Sequence, residues 1–187
     1  MSLRQGVNRE RISLLLREVG QRFHQPARLH LVGGTSLVFE GYRQLTLDVD
    51  LTIEVSAEGH SQLVQALQEI MLALDMNIEE ASPGDFIPLP AGYMDRHEFI
   101  GRYGQVEVFH FDWYSNALSK IERGRQQDLA DVVALLQHER IEWSRLEAMF
   151  HEILPLMGKK SLRQKPGDFA LNFQALQALW HSAGGTL

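Results

Sequence analysis

The sequence contains no cysteine among its 187 residues, which excludes disulfide bonds, thiolate metal ligands and catalysis by a thiol. It also lacks any apolar run close to the roughly 20 residues that a membrane-spanning helix needs. Its first residues do not follow the charged, apolar and small order of a signal peptide. We therefore expect a cytoplasmic protein that has no membrane as a partner.

Basic residues are fewer than acidic residues. Lys and Arg number 18 against 24 Asp and Glu, which gives a formal net charge of -6 at pH 7. This balance argues against a broad basic surface that follows nucleic acid by neutralising its phosphates. It is compatible with a nucleotide, because a divalent cation bound with the nucleotide bridges two negative partners.

The apolar residues change their spacing along the chain. Arg28–Val32 is a short strand candidate, and Leu47–Val55 alternates apolar and polar residues as a half-buried strand does. Arg96–Ile100 and Gln105–Phe111 flank a turn with two glycines, which is typical of a β-hairpin. After Trp113 the apolar residues recur at helical spacing.

These patterns predict a protein with two parts. Residues 1–113 form an α/β (α+β) core, in which a small mixed sheet is flanked by helices. Residues 114–187 form a helical C-terminal segment packed on this core.

One segment combines features that suit a bound phosphate. Gly33 and Gly34 follow the first strand candidate and precede a short helix. Glycine has no Cβ, so its backbone amide can approach phosphate oxygens closely. The N-terminus of the helix directs unpaired N–H groups and a positive dipole at the same anion. We expect these two glycines to cradle phosphates, with hydroxyl donors from Thr35 and Ser36.

Two acidic residues on the next strand suit a divalent cation. Asp48 and Asp50 are two residues apart, so their side chains project from the same face of the strand. Mg²⁺ prefers such oxygen ligands, and its charge relieves the repulsion between neighbouring carboxylates. A third carboxylate usually completes the site. Glu107 in the hairpin is our first candidate for that role, and Asp112 is the second.

Together these residues resemble a known signature. The string LVGGTSLVFEGYRQLTLDVDL is similar to that of the polymerase-β-like nucleotidyltransferase superfamily, in which a Gly-Gly or Gly-Ser turn precedes Asp-apolar-Asp by about a dozen residues. Here twelve residues lie between Thr35 and Asp48. The later string SKIERGRQQDLADVVALL resembles a helical element of small bacterial nucleotidyltransferase-like proteins of the abortive-infection and toxin–antitoxin type. The resemblance covers about residues 28–137.

The resemblance implies a reaction and a set of ligands. The reaction would transfer a nucleoside monophosphate from a nucleoside triphosphate to an acceptor hydroxyl, and the acceptor would be RNA or a partner protein. Asp48, Asp50 and Glu107 would bind Mg²⁺, or Mn²⁺ in its place, with Glu107 as ligand or base. Lys120 and Asp128, in the second string, would contribute to the nucleotide pocket.

Other interpretations of the same residues lead to other classes of protein. Asp-x-Asp is common on exposed strands, and Lys120 and Asp128 also suit an ordinary helix surface and first helical turn. A degenerate member of the superfamily would bind a partner, as an antitoxin does, without turnover. A metal-dependent glycosyltransferase would use Asp-x-Asp but needs no glycine turn upstream. The coupled motif therefore favours the nucleotidyltransferase interpretation.

Overall fold

The computed structural model of the chain describes residues 6–159 and 164–186. It divides into two compact units, each built from two stretches of sequence. The first unit extends to Ser82 and also includes His97–Phe111, whereas the second consists of Pro83–Arg96 and the chain from Asp112 onward. The change from strands to helices thus falls at Asp112. Pro83–Arg96, which falls within the range 1–113 predicted for the core, clusters with the helical unit.

A mixed β-sheet forms the centre of the first unit. The described residues contain five strands: β1 (Ala27–Leu31), β2 (Asp48–Val55), β3 (Asn77–Glu80), β4 (Glu98–Tyr103) and β5 (Val106–His110). They lie side by side in the order β3-β2-β1-β5-β4. The β1–β5 and β2–β3 pairs are parallel, and the β1–β2 and β4–β5 pairs are antiparallel. The sheet confirms the predicted α/β class, and β4 and β5 form the predicted hairpin.

Three helices accompany this sheet: α1 (Arg9–Arg22), α2 (Gly33–Glu40) and α3 (Ala57–Leu74). The side chain of Asn8 caps the first of them by accepting a hydrogen bond from the Arg11 amide at 3.0 Å. Apolar residues of α1 and α3 share one buried cluster with alternate residues of β1, β2 and β5. These are Ile12, Leu15, Leu16, Val19, Leu63, Leu67, Ile70, Leu29, Leu31, Val49, Leu51, Val106 and Val108.

The strand residues that alternate with this core form what we call the polar face of the sheet. Side chains alternate along a strand, and residues opposite each other on paired strands share a face. The polar face therefore carries one row of side chains from each of β1, β2 and β5. These are Arg28 and His30; Asp48, Asp50, Thr52 and Glu54; and Glu107 and Phe109.

The second unit is helical within its described residues. Its helices are α4 (Trp113–Arg123), α5 (Gln126–Gln137), α6 (Trp143–Ile153) and α7 (Pro166–Ser182), with short 3-10 turns at Pro83–Asp85, Tyr93–Arg96 and Leu154–Leu156. The rings of Phe150 and Phe173 stack at 3.9 Å, and the Phe169 ring lies 4.8 Å from that of Phe150. In neither described stretch of the chain is a helix long and apolar enough to cross a membrane.

A glycine contact positions helix α1 against the β4–β5 hairpin. A Cβ added to Gly20 would lie 2.6 Å from the carbonyl carbon of Tyr103, and one added to Gly104 would lie 2.5 Å from the carbonyl oxygen of Gly20. Gly104 also has a φ of 61°, which favours glycine. The helix and the hairpin thus approach each other backbone to backbone.

We predict that Gly20→Ala destabilises the protein by about 1–3 kcal/mol. Alanine favours a helix by about 1 kcal/mol over glycine, but here its methyl group would have to displace the main chain of Tyr103. Urea unfolding measures the change. Gly167→Ala in α7 is the matched control, since a Cβ there meets no atom within 4 Å. A stabilised Gly20→Ala protein would contradict the prediction.

Candidate functional site

The glycine turn joins β1 to helix α2 and faces the second strand. Gly33 begins the helix with a φ of 55°, a left-handed conformation that favours glycine. A Cβ added to Gly33 would lie 3.8 Å from Oδ2 of Asp50. The structure therefore brings the turn and one of the two aspartates together, as the sequence predicts.

Two hydrogen bonds hold β2 against this turn. The Asp50 amide donates to the Thr35 hydroxyl at 2.8 Å, and the Val32 amide donates to the Asp50 carbonyl oxygen at 3.1 Å. Asp48 lies two residues earlier on the same face, where its Oδ1 accepts a hydrogen bond from the Asn77 side chain at 2.9 Å. Both aspartates are half-buried. Asp50 thus lies at the turn, and Asp48 lies two residues away on the same face of β2.

The hydroxyls of the turn are internal. Thr35 and Ser36 have no exposed surface, and the Ser36 hydroxyl donates to the Leu31 carbonyl oxygen at 2.8 Å. The imidazole of His110 extends this network, with Nδ1 3.1 Å from the Ser36 oxygen and Nε2 2.8 Å from Glu40. Hydroxyls in these positions stabilise the turn. The geometry does not support the expectation that Thr35 and Ser36 donate to phosphates, because a ligand in solvent does not reach them.

The sheet does not bring Glu107 to the aspartates. Glu107 pairs with Arg28 on β1, four residues before Val32, whose amide bonds to Asp50. Four residues of strand span roughly 13 Å. The Glu107 carboxylate instead contacts Arg102 at 2.6 Å and Arg28 at 3.4 Å, and the hydrogen bond from Arg102 lowers its pKa, with a further contribution from Arg28. We therefore remove Glu107 from the expected metal ligands.

Asp112, the second candidate for a third carboxylate, has a structural role in the helical unit. It has no exposed surface, and its two oxygens each lie 2.9 Å from the guanidinium of Arg96. It also caps helix α4 by accepting hydrogen bonds from the Tyr114 and Ser115 amides. The Asp112 hydrogen bond is the main reason that the pKa of Arg96 is raised.

Two carboxylates therefore remain for a metal. Across residues 6–159 and 164–186, no group of three or more His, Asp or Glu side chains is arranged to hold a metal ion. Asp48 and Asp50 still fit Mg²⁺ that arrives with a nucleotide. Mg²⁺ commonly takes one or two carboxylates from a protein and completes its shell with phosphate oxygens and water.

The predicted pocket residues on the helices form a buried ion cluster. Lys120 is 1% exposed, and its Nζ lies 2.6 Å from Oδ2 of Asp131 and 3.5 Å from Oδ1 of Asp128. Arg123 also contacts Asp128 at 2.7 Å, whereas Arg125 precedes helix α5 as its N-cap. Asp128 Oδ2 is buried without a hydrogen-bond partner. Lys120 is thus the counter-ion of two aspartates in its own unit.

Sequence reasoning missed two residues beside the glycine turn. A Cβ added to Gly34 would lie 3.0 Å from the Thr46 hydroxyl oxygen and 3.4 Å from Nη1 of Arg43. Both residues lie in the segment between α2 and β2. That segment has no periodicity, so no helix or strand pattern predicted where their side chains point. The sequence feature that could have indicated them is their closeness to Asp48, which Arg43 precedes by five residues and Thr46 by two.

A buried histidine lies on the polar face next to the aspartates. His30 is 2% exposed, and burial, with a smaller contribution from the charge of Arg28, lowers its pKa to about 4. Its Nε2 lies 3.3 Å from the Glu54 carboxylate, which is half exposed and also contacts Arg28, so burial outweighs that attraction. His30 is therefore neutral near pH 7.

This pKa predicts a loss of stability in mild acid. The unfolded chain binds a proton at His30 from the ordinary pKa of 6.5, and the folded chain only from about 4. Stability should therefore fall as the pH drops between these values, by up to about 3 kcal/mol in total. His30→Gln should flatten this slope in urea titrations, and the exposed-site control His24→Gln should not. Equal slopes in both variants would exclude His30 as the cause.

The ion cluster predicts a second effect on stability. Lys120→Met should destabilise the protein by about 3–5 kcal/mol, because it leaves the buried Asp131 carboxylate without its cation. Adding Asp131→Asn should recover part of that loss, since the pair is then neutral on both sides. Urea unfolding of the single and double variants measures both values. A loss below about 1 kcal/mol for Lys120→Met would contradict a structural role for the ammonium.

Comparison with known proteins assigns the chain to a family. Residues 10–178 match the model of a family described as nucleotidyltransferase of unknown function (DUF6036). The matched span covers most of both units and every candidate residue discussed above. No curated protein and no solved structure matches the chain. Because the family model covers most of the sequence, the chain belongs to this nucleotidyltransferase family.

Proposed function

We propose that the protein transfers a nucleoside monophosphate from a nucleoside triphosphate to an acceptor hydroxyl and releases pyrophosphate. The observation that carries this proposal is the contact between the glycine turn and the aspartate strand. The Gly33 backbone faces the Asp50 carboxylate, and the Asp50 amide bonds to Thr35. Metal-bridged phosphates need carboxylates and backbone donors within a few ångströms of each other, and this part of the chain supplies both.

The aspartates would hold the metal that the reaction needs. Asp48 and Asp50 share one strand face. Both side chains are only half-buried, so a ligand in solvent can reach them. Mg²⁺, or Mn²⁺ in its place, would neutralise charge on the phosphates and lower the pKa of the acceptor hydroxyl. The Asn77 amide holds the Asp48 carboxylate in place from the neighbouring strand.

The turn would position the phosphates. Gly33 and Gly34 form the first residues of helix α2, so their amides and the positive end of the helix dipole face the same region. The buried Thr35 hydroxyl ties that turn to β2, and the buried Ser36 hydroxyl ties it to the end of β1. In this proposal, backbone groups bind the anion and side-chain hydroxyls hold the backbone.

We propose a structural role for Lys120 and Asp128 in the helical unit. A phosphate that reached the Lys120 ammonium would have to replace the 2.6 Å contact with Asp131. Such an exchange would leave a buried carboxylate without its cation, which is costly. We therefore propose that Lys120 and Asp128 stabilise α4 and α5 within the helical unit.

The next part of the proposal concerns the acceptor of the nucleoside monophosphate. The resemblance to abortive-infection and toxin–antitoxin proteins favours RNA or a partner protein as the molecule modified. The net charge of -6 favours contact with a short end of an RNA over contact along its length. The cytoplasm, which supplies nucleoside triphosphates and Mg²⁺, is the compartment that we propose.

A second candidate function follows from the number of carboxylates. Asp50 lies at the turn and Asp48 two residues away on the same strand, whereas Glu107 pairs with Arg28 farther along the sheet. A member of the family that lacks a third acidic group would bind a metal-nucleotide complex and recognise a partner without turnover, as an antitoxin does.

The metal site is tested by replacing both aspartates with asparagine. We predict that Asp48→Asn with Asp50→Asn keeps the fold and weakens Mg²⁺-dependent triphosphate binding by more than about 100-fold. Even loss of a residue that only orients a metal ligand costs roughly 10- to 100-fold. Isothermal titration with Mg²⁺ and each of the four nucleoside triphosphates measures the affinity. Glu54→Gln removes an acid from the same face of the same strand and is the matched control. Retained binding in the double variant would defeat the proposed site.

Turnover distinguishes the two candidate functions. The protein is incubated with Mg²⁺ and α-labelled nucleoside triphosphates, alone, with total cellular RNA, and with a cell extract. The first candidate predicts label in RNA or protein together with pyrophosphate release, and neither in the aspartate double variant. Tight Mg²⁺-dependent binding without incorporation into any fraction would favour the second candidate.

A further inference from the structure

We infer that Arg43 binds the polyphosphate of the nucleotide at the glycine turn and positions it there. This inference rests on the proposed function and adds a residue to its site. It assigns to Arg43 the side-chain contact that Thr35, Ser36 and Lys120 do not provide. The chemical group recognised is a chain of two or three phosphates.

The guanidinium of Arg43 lies at the start of helix α2. Gly34 is the second residue of that helix, and a Cβ added to it would lie 3.4 Å from Nη1 of Arg43. The same Cβ would lie 3.0 Å from the Thr46 hydroxyl oxygen. A guanidinium and a hydroxyl therefore line the side of the turn next to Gly34. A larger residue than glycine at this position would crowd both groups.

The main chain holds Arg43 in this arrangement. Gly41, with a φ of 83°, caps the C-terminus of helix α2. The amides of Tyr42 and Arg43 both donate to the Leu37 carbonyl oxygen, at 2.9 and 3.3 Å. Thr46 is fixed in turn by two backbone hydrogen bonds to Val7, at 2.7 and 3.0 Å. Leu37 follows Gly34 by three residues, a rise of about 4.5 Å along the helix, and from there the long Arg43 side chain reaches back to Gly34.

The charges at the turn indicate what Arg43 faces. The N-terminus of a helix carries roughly half a positive charge, and the Arg43 guanidinium adds a full one beside it. Both groups attract an anion that binds at the turn. The Asp48 and Asp50 carboxylates lie on the strand that bonds to this turn. Positive and negative groups side by side match a polyphosphate with its bridging metal.

Arginine is suited to this contact. Its planar guanidinium donates two parallel hydrogen bonds to phosphate oxygens, and it stays charged at every physiological pH. The buried hydroxyls of Thr35 and Ser36 leave the turn dependent on other side chains for such donors. Arg43 is half-buried and keeps part of its surface open to solvent. It can therefore meet a ligand that the hydroxyls cannot.

A purely structural role for Arg43 makes a different prediction from phosphate binding. If Arg43 only stabilised the segment between α2 and β2, its loss would lower stability and weaken every ligand of the site alike. If it binds phosphates, its loss would weaken ligands according to the number of phosphates they carry. The dependence on phosphate number is therefore the readout that separates the two roles.

The test compares ligands with three phosphates and with one. Isothermal titration in Mg²⁺ uses inorganic triphosphate, the four nucleoside triphosphates and the four monophosphates as probes. We expect Arg43→Gln to weaken all the triphosphates by about 10- to 100-fold, as loss of a charged hydrogen-bonding pair does, and the monophosphates by less than about twofold. Arg43→Lys should recover part of the affinity, because it restores the charge without the paired donors. Arg102→Gln, which removes a 65% exposed arginine from β4, should bind as the wild type does.

Each other outcome overturns the inference. Wild-type triphosphate affinity in Arg43→Gln would remove Arg43 from the site and leave the proposed function intact. Equal losses for triphosphates and monophosphates, with a lower unfolding temperature, would assign Arg43 a structural role. Failure of the wild type itself to bind any triphosphate with Mg²⁺ would overturn the proposed function together with the inference. If Arg43→Gln does not fold, Arg43→Lys carries the same comparison, and a loss independent of phosphate number in it would overturn the inference.

Discussion

The hydrogen bond from the Asp50 amide to the Thr35 hydroxyl is the contact on which the candidate site depends. It is 2.8 Å long and ties the first turn of helix α2 to strand β2, and Thr35 has no exposed surface. A slip of one residue in β2 would turn its aspartates toward the apolar core, because side chains alternate along a strand. The same bond therefore fixes which way the carboxylates point and how close they lie to the turn. A buried polar side chain that makes no contact with ligand can in this way define a ligand site.

Local features of the fold could be predicted from the sequence because they depend on neighbouring residues. The alternation in Leu47–Val55 gives strand β2, and the glycines at the end of β1 give the strand-to-helix turn. The register between strands that are far apart in the sequence does not depend on neighbouring residues. Glu107 follows the predicted pattern of its hairpin, but its distance from Asp50 depends on how β5 aligns with β1, 79 residues away at Arg28. No local pattern contains that alignment.

Burial decided the roles of several motif residues in a way that residue type did not reveal. Thr35, Ser36 and Lys120 are polar residues that suit a phosphate, yet all three lie inside the protein and bond to it. A polar residue in a motif can touch the ligand or can hold the residues that do, and the two roles require the same amino acids. In our inference, Arg43 is the reverse case. It lies in a segment without periodicity, and only the three-dimensional path of the chain brings its guanidinium beside Gly34.

The separation of charge at the turn accounts for how an acidic protein would bind an acidic ligand. A net charge of -6 repels a free triphosphate, and Asp48 and Asp50 add to that repulsion locally. In the proposed site, Mg²⁺ bridges the aspartates to the phosphates, and the helix terminus and Arg43 meet the phosphate charge that remains. Neither metal nor nucleotide then has a complete set of partners without the other. Metal and nucleotide would bind as one unit for that reason, and two protein carboxylates would suffice where a dedicated metal cage would need more.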